Sequence, residues 1–288
     1  LLDRLRPQTR VHLWTLLGVA HYCTGEFPVA LEHVARAAAL DNSVRCTHEN
    51  PVGGADPAVV CRSYAGMITT ALGLLETSFA WSQEAVAIAD NRGHAFSMAW
   101  ARLTRMRSLR PLGRNAELIA AGAEAIEICE RHGFNARLGN VLIYHGAARF
   151  EIGEHEAGLA DMQRGIDLWR RTSGSLHVTQ WIGELVPCLL RLGRTEAAER
   201  ALQEAEAIIA ATAEQSHYPE IQRLRGALLQ RSGRTAEAID CCQRALAWSR
   251  AHQARLFELR AGVALAQLWR DAGQRAQARA LLAPIHAG

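Results

Sequence analysis

Apolar residues recur along this chain at spacings of three and four, broken at regular points by short polar turns. In "RGALLQRSGRTAEAIDCCQRALAWS" (225–249), Leu228 and Leu229 precede Gly233, and Ile239, Cys242 and Leu246 follow it. That spacing predicts two amphipathic helices joined at the glycine. Small residues stand at Gly226, Ala238 and Ala245, where an isolated helix would accept larger ones. Small side chains on facing helices let two backbones approach closely.

The interval recurs. "LVPCLLRLGRTEAAERALQEAEAI" (185–208) has Gly193, Ala198 and Ala205 at the same offsets, and 145–168 has Gly146, Gly153, Gly158 and Gly165. The turn glycines are Gly25, Gly73, Gly113, Gly153, Gly193, Gly233 and Gly273, separated by 48 residues once and by 40 thereafter. A fixed period of this length marks a repeat architecture. Each glycine supplies the left-handed conformation that ends the first helix of a unit. Asn115, Thr195 and Thr235, two residues on, are expected to cap the second. One such pair cannot bury its apolar face alone, so neighbouring units must stack.

"WTLLGVAHYCTGEFPVALEHVARA" (14–37) resembles a tetratricopeptide repeat, with Trp14, Leu17, Gly18, His21, Gly25, Ala30 and Ala37 on its signature positions. The expected fold is all-α: a right-handed α-solenoid of about seven helix–turn–helix repeats with a 40-residue period, forming a single unit over 1–288. Repeat 1 covers about 9–40, a polar inserted loop 41–56, and repeats 2–7 about 57–288. A narrower resemblance rests on "GGADPAVVCRSYAG" (53–66), "SHYPEIQRLRGALL" (216–229) and "FELRAGVALAQLWRDAGQRAQARALLAPI" (257–285). These look like the C-terminal helical region of large bacterial ATPase regulators, in which an ATPase module follows a class III cyclase or winged-helix domain. The opening "LLDRLRPQTR" then reads as a cut inside a longer protein.

Composition narrows the function. The net charge is +3 against 32 basic and 29 acidic residues, which argues against a dedicated nucleic-acid or membrane surface. Every basic residue is Arg. With no Lys, a phosphate-binding G-x-x-x-x-G-K-[ST] loop cannot form, and neither a G-x-S-x-G elbow nor an H-E-x-x-H helix occurs. Seven scattered cysteines without a Cys-x-x-Cys pair read as reduced, buried thiols of a cytoplasmic protein. The vicinal Cys241 and Cys242 are expected in the core. Cys46 and His48 are the nearest approach to metal-ligand spacing and lack a second pair. His145 and His155 flank a turn and are expected as surface or capping residues rather than as a catalytic pair. No enzyme, cofactor or metal is expected.

Binding is the chemistry left. Stacked pairs present a groove lined by their first helices, and counting back from each turn glycine places Tyr22, Met67, Trp100, Leu103, Arg107, Arg110, Asn140, Tyr144, Gln180, Glu184, Arg223 and Arg260 on it. Arg107 and Arg110 share a helix face with Leu103; with Asn140 and Tyr144 they make a candidate anion or peptide pocket. The tetratricopeptide resemblance implies that Arg and Asn at such positions hold peptide backbones or terminal carboxylates. The expected function is a regulatory interaction module for a protein or peptide, or for an ATPase or output domain of its own chain. A small-molecule effector is the alternative occupant. Leu281, Leu282 and Ile285 near the end are expected to stay uncovered and to favour end-to-end homodimers.

Overall fold

The computed structural model describes residues 5–44, 54–173 and 177–287. Every regular element among them is a helix, and the fourteen helices fall into seven antiparallel pairs. These are α1 (Pro7–Thr24) with α2 (Phe27–Val44), α3 (Pro57–Ala71) with α4 (Leu75–Arg92), and α5 (Ala95–Leu109) with α6 (Asn115–His132). They continue as α7 (Asn135–Glu151) with α8 (His155–Ser173), and α9 (Val178–Arg191) with α10 (Thr195–Ala211). The last are α11 (Tyr218–Arg231) with α12 (Thr235–Ala251), and α13 (Arg255–Asp271) with α14 (Arg275–Ala287). The chain divides into two compact units, one of Leu1–Thr70 and Leu74–Leu176, the other of Ala71–Gly73 and His177–Gly288.

All seven turn glycines have positive φ, from 68° at Gly113 to 100° at Gly153. Around several of them the chain folds into the same C-terminal motif: the residue after the glycine donates its N–H five positions back, as from Arg194 to Leu189 O (2.9 Å) and Arg234 to Leu229 O (3.0 Å). This motif displaces the expected caps. Asn115, Thr195 and Thr235 are the first helical residues, preceded by Arg114, Arg194 and Arg234 in the cap position, and no side-chain cap hydrogen bond forms. The arginine takes the cap because its N–H already serves the preceding helix. Its side chain then grips the glutamate in the first turn: Arg114 Nε donates to Glu117 and Arg234 Nε to Glu237, each at 2.6 Å. Those carboxylates also face the positive end of the helix dipole. A second 40-residue register runs between pairs, where Gly93 and Gly133 have φ of 67° and 70° and Gln253 stands at 55°.

Small residues set the spacing within pairs. A Cβ on Gly226 would lie 2.9 Å from Cys242 Sγ and 3.0 Å from Ala238 O. In α7 and α8 the approach is closer: Gly139 faces Gly165, and Gly146 faces Gly158, backbone against backbone. Around α12 and α13, Leu229, Ala238, Cys242, Ala245, Leu246 and Leu265 form one buried cluster, with Leu281 packed on it. Cys241 and Cys242 are buried free thiols there, as the sequence implies. Ile285 meets Gly262 of α13, and Leu281, Leu282 and Ile285 are half-buried rather than presented to solvent.

Ion pairs repeat with the period as well. Arg62 of α3 reaches Glu84 of α4 (3.0 Å), and Arg102 of α5 reaches Glu124 of α6 (2.8 Å), at positions one period apart. Gln222 and Arg244 occupy the same two positions in α11 and α12, with the cation moved to the second helix (3.2 Å).

The insertion departs from expectation at both ends. Residues 45–53, which include Cys46 and His48, lie outside the described residues. Residues 41–44 are not loop but the last turn of α2. Asp41 and Asp56 are buried, where a polar loop would be solvated. Arg62, 1% exposed, pairs with Asp41 (3.3 Å), and Arg92 pairs with Asp56 (2.5 Å) and approaches Asp41 (3.7 Å). Asp56 also caps α3, its Oδ1 accepting the Ala58 N–H at 2.9 Å. A buried carboxylate persists only with such partners. His145 differs too: it lies within α7, half-buried, with Nδ1 3.4 Å from Asp161. His155 opens α8 and packs at a tilt against Phe150 (4.6 Å between centroids).

Candidate functional site

In the first unit the first helices make a continuous side-chain layer. Tyr22 of α1 meets Tyr64 of α3 edge-on (5.8 Å), Arg107 of α5 reaches Met67 Sδ of α3 (3.1 Å), and the Arg107 guanidinium sits 5.7 Å from the Tyr144 ring of α7. Tyr22 is deep enough that burial pushes its phenol well above the ordinary range, with Arg107 pulling the other way.

Among the expected groove residues of this unit, Arg107 and Tyr144 come together as anticipated. Leu103 is fully buried and belongs to the core, and Tyr22, Met67, Asn140 and Tyr144 are buried as well. Arg110 turns away toward Glu151 (3.6 Å). Trp100 is half-buried, and its face is covered by a residue the spacing argument passed over: the Arg137 guanidinium lies 3.8 Å from the Trp100 ring centroid and 5.4 Å from that of Phe96.

Arg137 is unusual among the arginines. It is 8% exposed, yet it makes no ion pair or hydrogen bond to the described residues, and its Nε is fully buried without a partner. Burial, and then the charge of Arg107, lower its pKa to about 9. One turn along the same face, Asn140 is 1% exposed, and its Oδ1 has no hydrogen-bond partner; nor has the Trp100 Nε1. Buried polar groups are satisfied in the great majority of cases. Three on one patch are therefore notable. In sequence Arg137 looks like any other arginine, and only its distance of one turn from the period position Trp100–Asn140 marks it.

In the second unit α11 contacts both α9 and α13 directly, so the first helices again form a layer. Gln180 is buried and Glu184 half-buried on α9. Arg223 and Arg260 both serve Glu220. Arg223 holds it through two hydrogen bonds (2.7 and 3.0 Å), and Arg260 stands 3.5 Å away. Burial alone would raise the Glu220 pKa; the charges of Arg223 and Arg260, the Arg223 hydrogen bonds and His217 overcome it and hold the group near 2. The folded pKa lies below the unfolded value, so this stabilisation is complete above about pH 4.3 and is lost as pH falls toward 2. Replacing Glu220 with Gln is expected to cost about 3 kcal/mol at pH 7 and to flatten the acid limb of stability between pH 4 and 2. Urea denaturation across that pH range measures the difference, and an unchanged acid limb contradicts the assignment.

Elsewhere, a groove of ≈ 500 Å³ between α13 and α14 is lined by Val263, Gln267, Arg270, Arg275, Arg279 and Leu282 among others. No group of three or more His, Cys, Asp or Glu residues that could hold a metal exists among the described residues. No helix among them is long and apolar enough to cross a membrane.

No family model and no curated protein matches this sequence. The fold has clear counterparts among solved structures. A Rap protein complexed with Competence and Sporulation Factor aligns with a TM-score of 0.72 at 11% identity, over 99% of this chain and 76% of that one. The Rap conjugation gene regulator of plasmid pLS20, in complex with the Phr* peptide, aligns at 0.72 and 14% identity, over 96% and 73%. Aspartyl phosphate phosphatase F from Bacillus subtilis aligns at 0.63 and 12% identity, over 96% and 70%. At these identities the likeness is one of fold: a tetratricopeptide-like helical repeat.

Proposed function

We propose that this chain is a non-catalytic regulatory module that binds a peptide or an extended protein segment along the first helices of its repeats. The observation that carries the reading is a contrast among the side chains of the first helices. Arginines that reach toward the second helices are matched to carboxylates, as Arg102 is to Asp90 and Glu124, and Arg225 to Glu199 and Glu206. Where α5 and α7 face one another, Arg137, Asn140 and Trp100 instead keep buried polar atoms with unmet hydrogen-bonding capacity. Two of the structural counterparts are described as complexes with a factor or a peptide, which supports a peptide as the occupant. The non-catalytic half of the reading rests on the sequence, which has no phosphate loop, nucleophile elbow or zinc helix.

The wider setting, a helical arm of a multidomain bacterial ATPase regulator whose occupant belongs to its own chain, rests on the resemblance of 53–66, 216–229 and 257–285. A small-molecule effector is the competing occupant of the same layer.

Melting of the chain against random hexapeptide pools tests the reading. A ligand at one hundred times its dissociation constant stabilises the folded state by about 2.7 kcal/mol. At least one pool is expected to raise the melting temperature saturably. A shift with small acids and nucleotides but with no peptide pool hands the site to an effector.

A further inference from the structure

We propose that the groove between α13 and α14 is a docking site for an acidic amphipathic α-helix of a partner protein. The inference goes beyond the peptide reading, since it concerns a different helix pair and a folded segment rather than an extended one.

The stack itself shows what kind of element fits. One period back from the groove, Ala238, Ile239 and Cys242 of α12 pack in one cluster with Ala261, Leu265 and Leu268 of α13. There a helix, α13, lies against both α11 and α12. Ala278, Arg279 and Leu282 hold the same three positions on α14, and they line a groove of ≈ 500 Å³ instead. The apolar face continues along α13. Leu259 and Val263, four apart, are 46% and 38% exposed, and they are the exposed large hydrophobic side chains of the second unit among the described residues. Their counterparts on α5, Ala99 and Leu103, are fully buried, and α7 packs against that helix. With Ala266 and Leu282 on the floor, this face suits a visiting helix that inserts apolar residues at i, i+3, i+4 and i+7.

Charge selects the helix. Where α12 has Thr235 and Ile239, α14 has Arg275 and Arg279, both exposed and lining the groove. Neither makes an ion pair with the described residues, and α14 contains no Asp or Glu. Arg270 stands on the other rim, sharing the exposed Asp271. Three arginines around an apolar floor call for carboxylates flanking apolar anchors. A second copy of this chain does not supply them. Its α1, the first helix that would continue the stack, exposes Leu16 and Leu17 but carries Arg10 and no Asp or Glu. One α13–α14 face against another would set arginine against arginine.

The test uses the full chain and three labelled pools of helix-forming peptides, each about 18 residues or five turns long. All share a randomised apolar face of Leu, Ile, Val, Ala and Phe, and their flanks carry Glu, Gln or Lys. In anisotropy titrations the Glu pool should bind about tenfold more tightly than the Gln pool, and the Lys pool more weakly than either. Added salt should shrink that preference. The Arg275→Gln, Arg279→Gln double variant should bind the Glu pool no better than the Gln pool. Val263→Glu should weaken all three pools while its melting temperature stays level, because that side chain faces water in the free protein. Hydrogen exchange of the wild type needs no variant, and the Glu pool should protect 259–282. Equal binding of the Glu and Gln pools, protection elsewhere or no binding overturns the proposal. Sodium decanoate displacing the Glu pool from 259–282 at equal concentration gives the groove to a small anionic amphiphile. A dimer of the chain alone, seen by sedimentation and lost in Val263→Glu, gives it to a second copy.

Discussion

Gly158→Ala is expected to destabilise the first unit by about 2–4 kcal/mol, near the top of the range for a single added methyl. The new Cβ would stand 2.5 Å from Gly146 O and 2.7 Å from the Phe150 amide nitrogen, both backbone atoms that cannot rotate aside. Relief requires α7 and α8 to separate, and the Gly139–Gly165 contact at the other end of the same seam would open with them. Gly153→Ala is the control, since that glycine joins the same two helices but has nothing within 4 Å of its Cβ position. Its cost is only that of φ at 100°, about 1–2 kcal/mol. Urea denaturation of both variants measures the contrast. Equal losses would show that the seam is looser than described.

Arg62→Ala is expected to cost about 3–5 kcal/mol, the loss characteristic of removing one partner from a buried ion pair. Asp41, 3% exposed, would keep its charge with Arg92 at 3.7 Å as its remaining cation among the described residues, and Glu84 would lose its contact across the helix pair. Removing Asp41 in the same molecule takes away the stranded charge, so the Arg62→Ala, Asp41→Ala double variant should recover part of the loss. Arg102→Ala, one period on, provides the comparison. Its partners Asp90 and Glu124 are 43% and 61% exposed and return to water, so about 1 kcal/mol is expected. Chemical denaturation of the four proteins decides, and equal losses at Arg62 and Arg102 would contradict the buried network.

The difference between these two arginines shows where sequence reading succeeds and stops. The period is local chemistry repeated: a glycine at positive φ ends each first helix, and small residues meet at fixed offsets, so Gly25 to Gly273 and the seven pairs are legible from spacing alone. Even here the motif's own hydrogen bonds overrode a capping rule, moving Asn115, Thr195 and Thr235 inside their helices. Burial of charge is not local. Asp41 and Asp56 bound a polar stretch that reads as solvated, and their partners arrive from α3 and α4. The candidate site followed the same division. Period counting found Trp100, Arg107, Asn140 and Tyr144 on the first helices, but it could not tell the paired Arg110, Arg223 and Arg260 from Arg137, whose lack of a counter-charge exists only once α5 and α7 are packed.

The most direct test of the binding face is hydrogen exchange of the full chain with and without a peptide pool that shifts its melting. Added protection is predicted in α5 and α7, around Trp100, Arg137 and Asn140, with α6 and α8 unchanged in their outward turns. Protection confined to the second helices, or to the groove between α13 and α14, would contradict the account and move the site elsewhere.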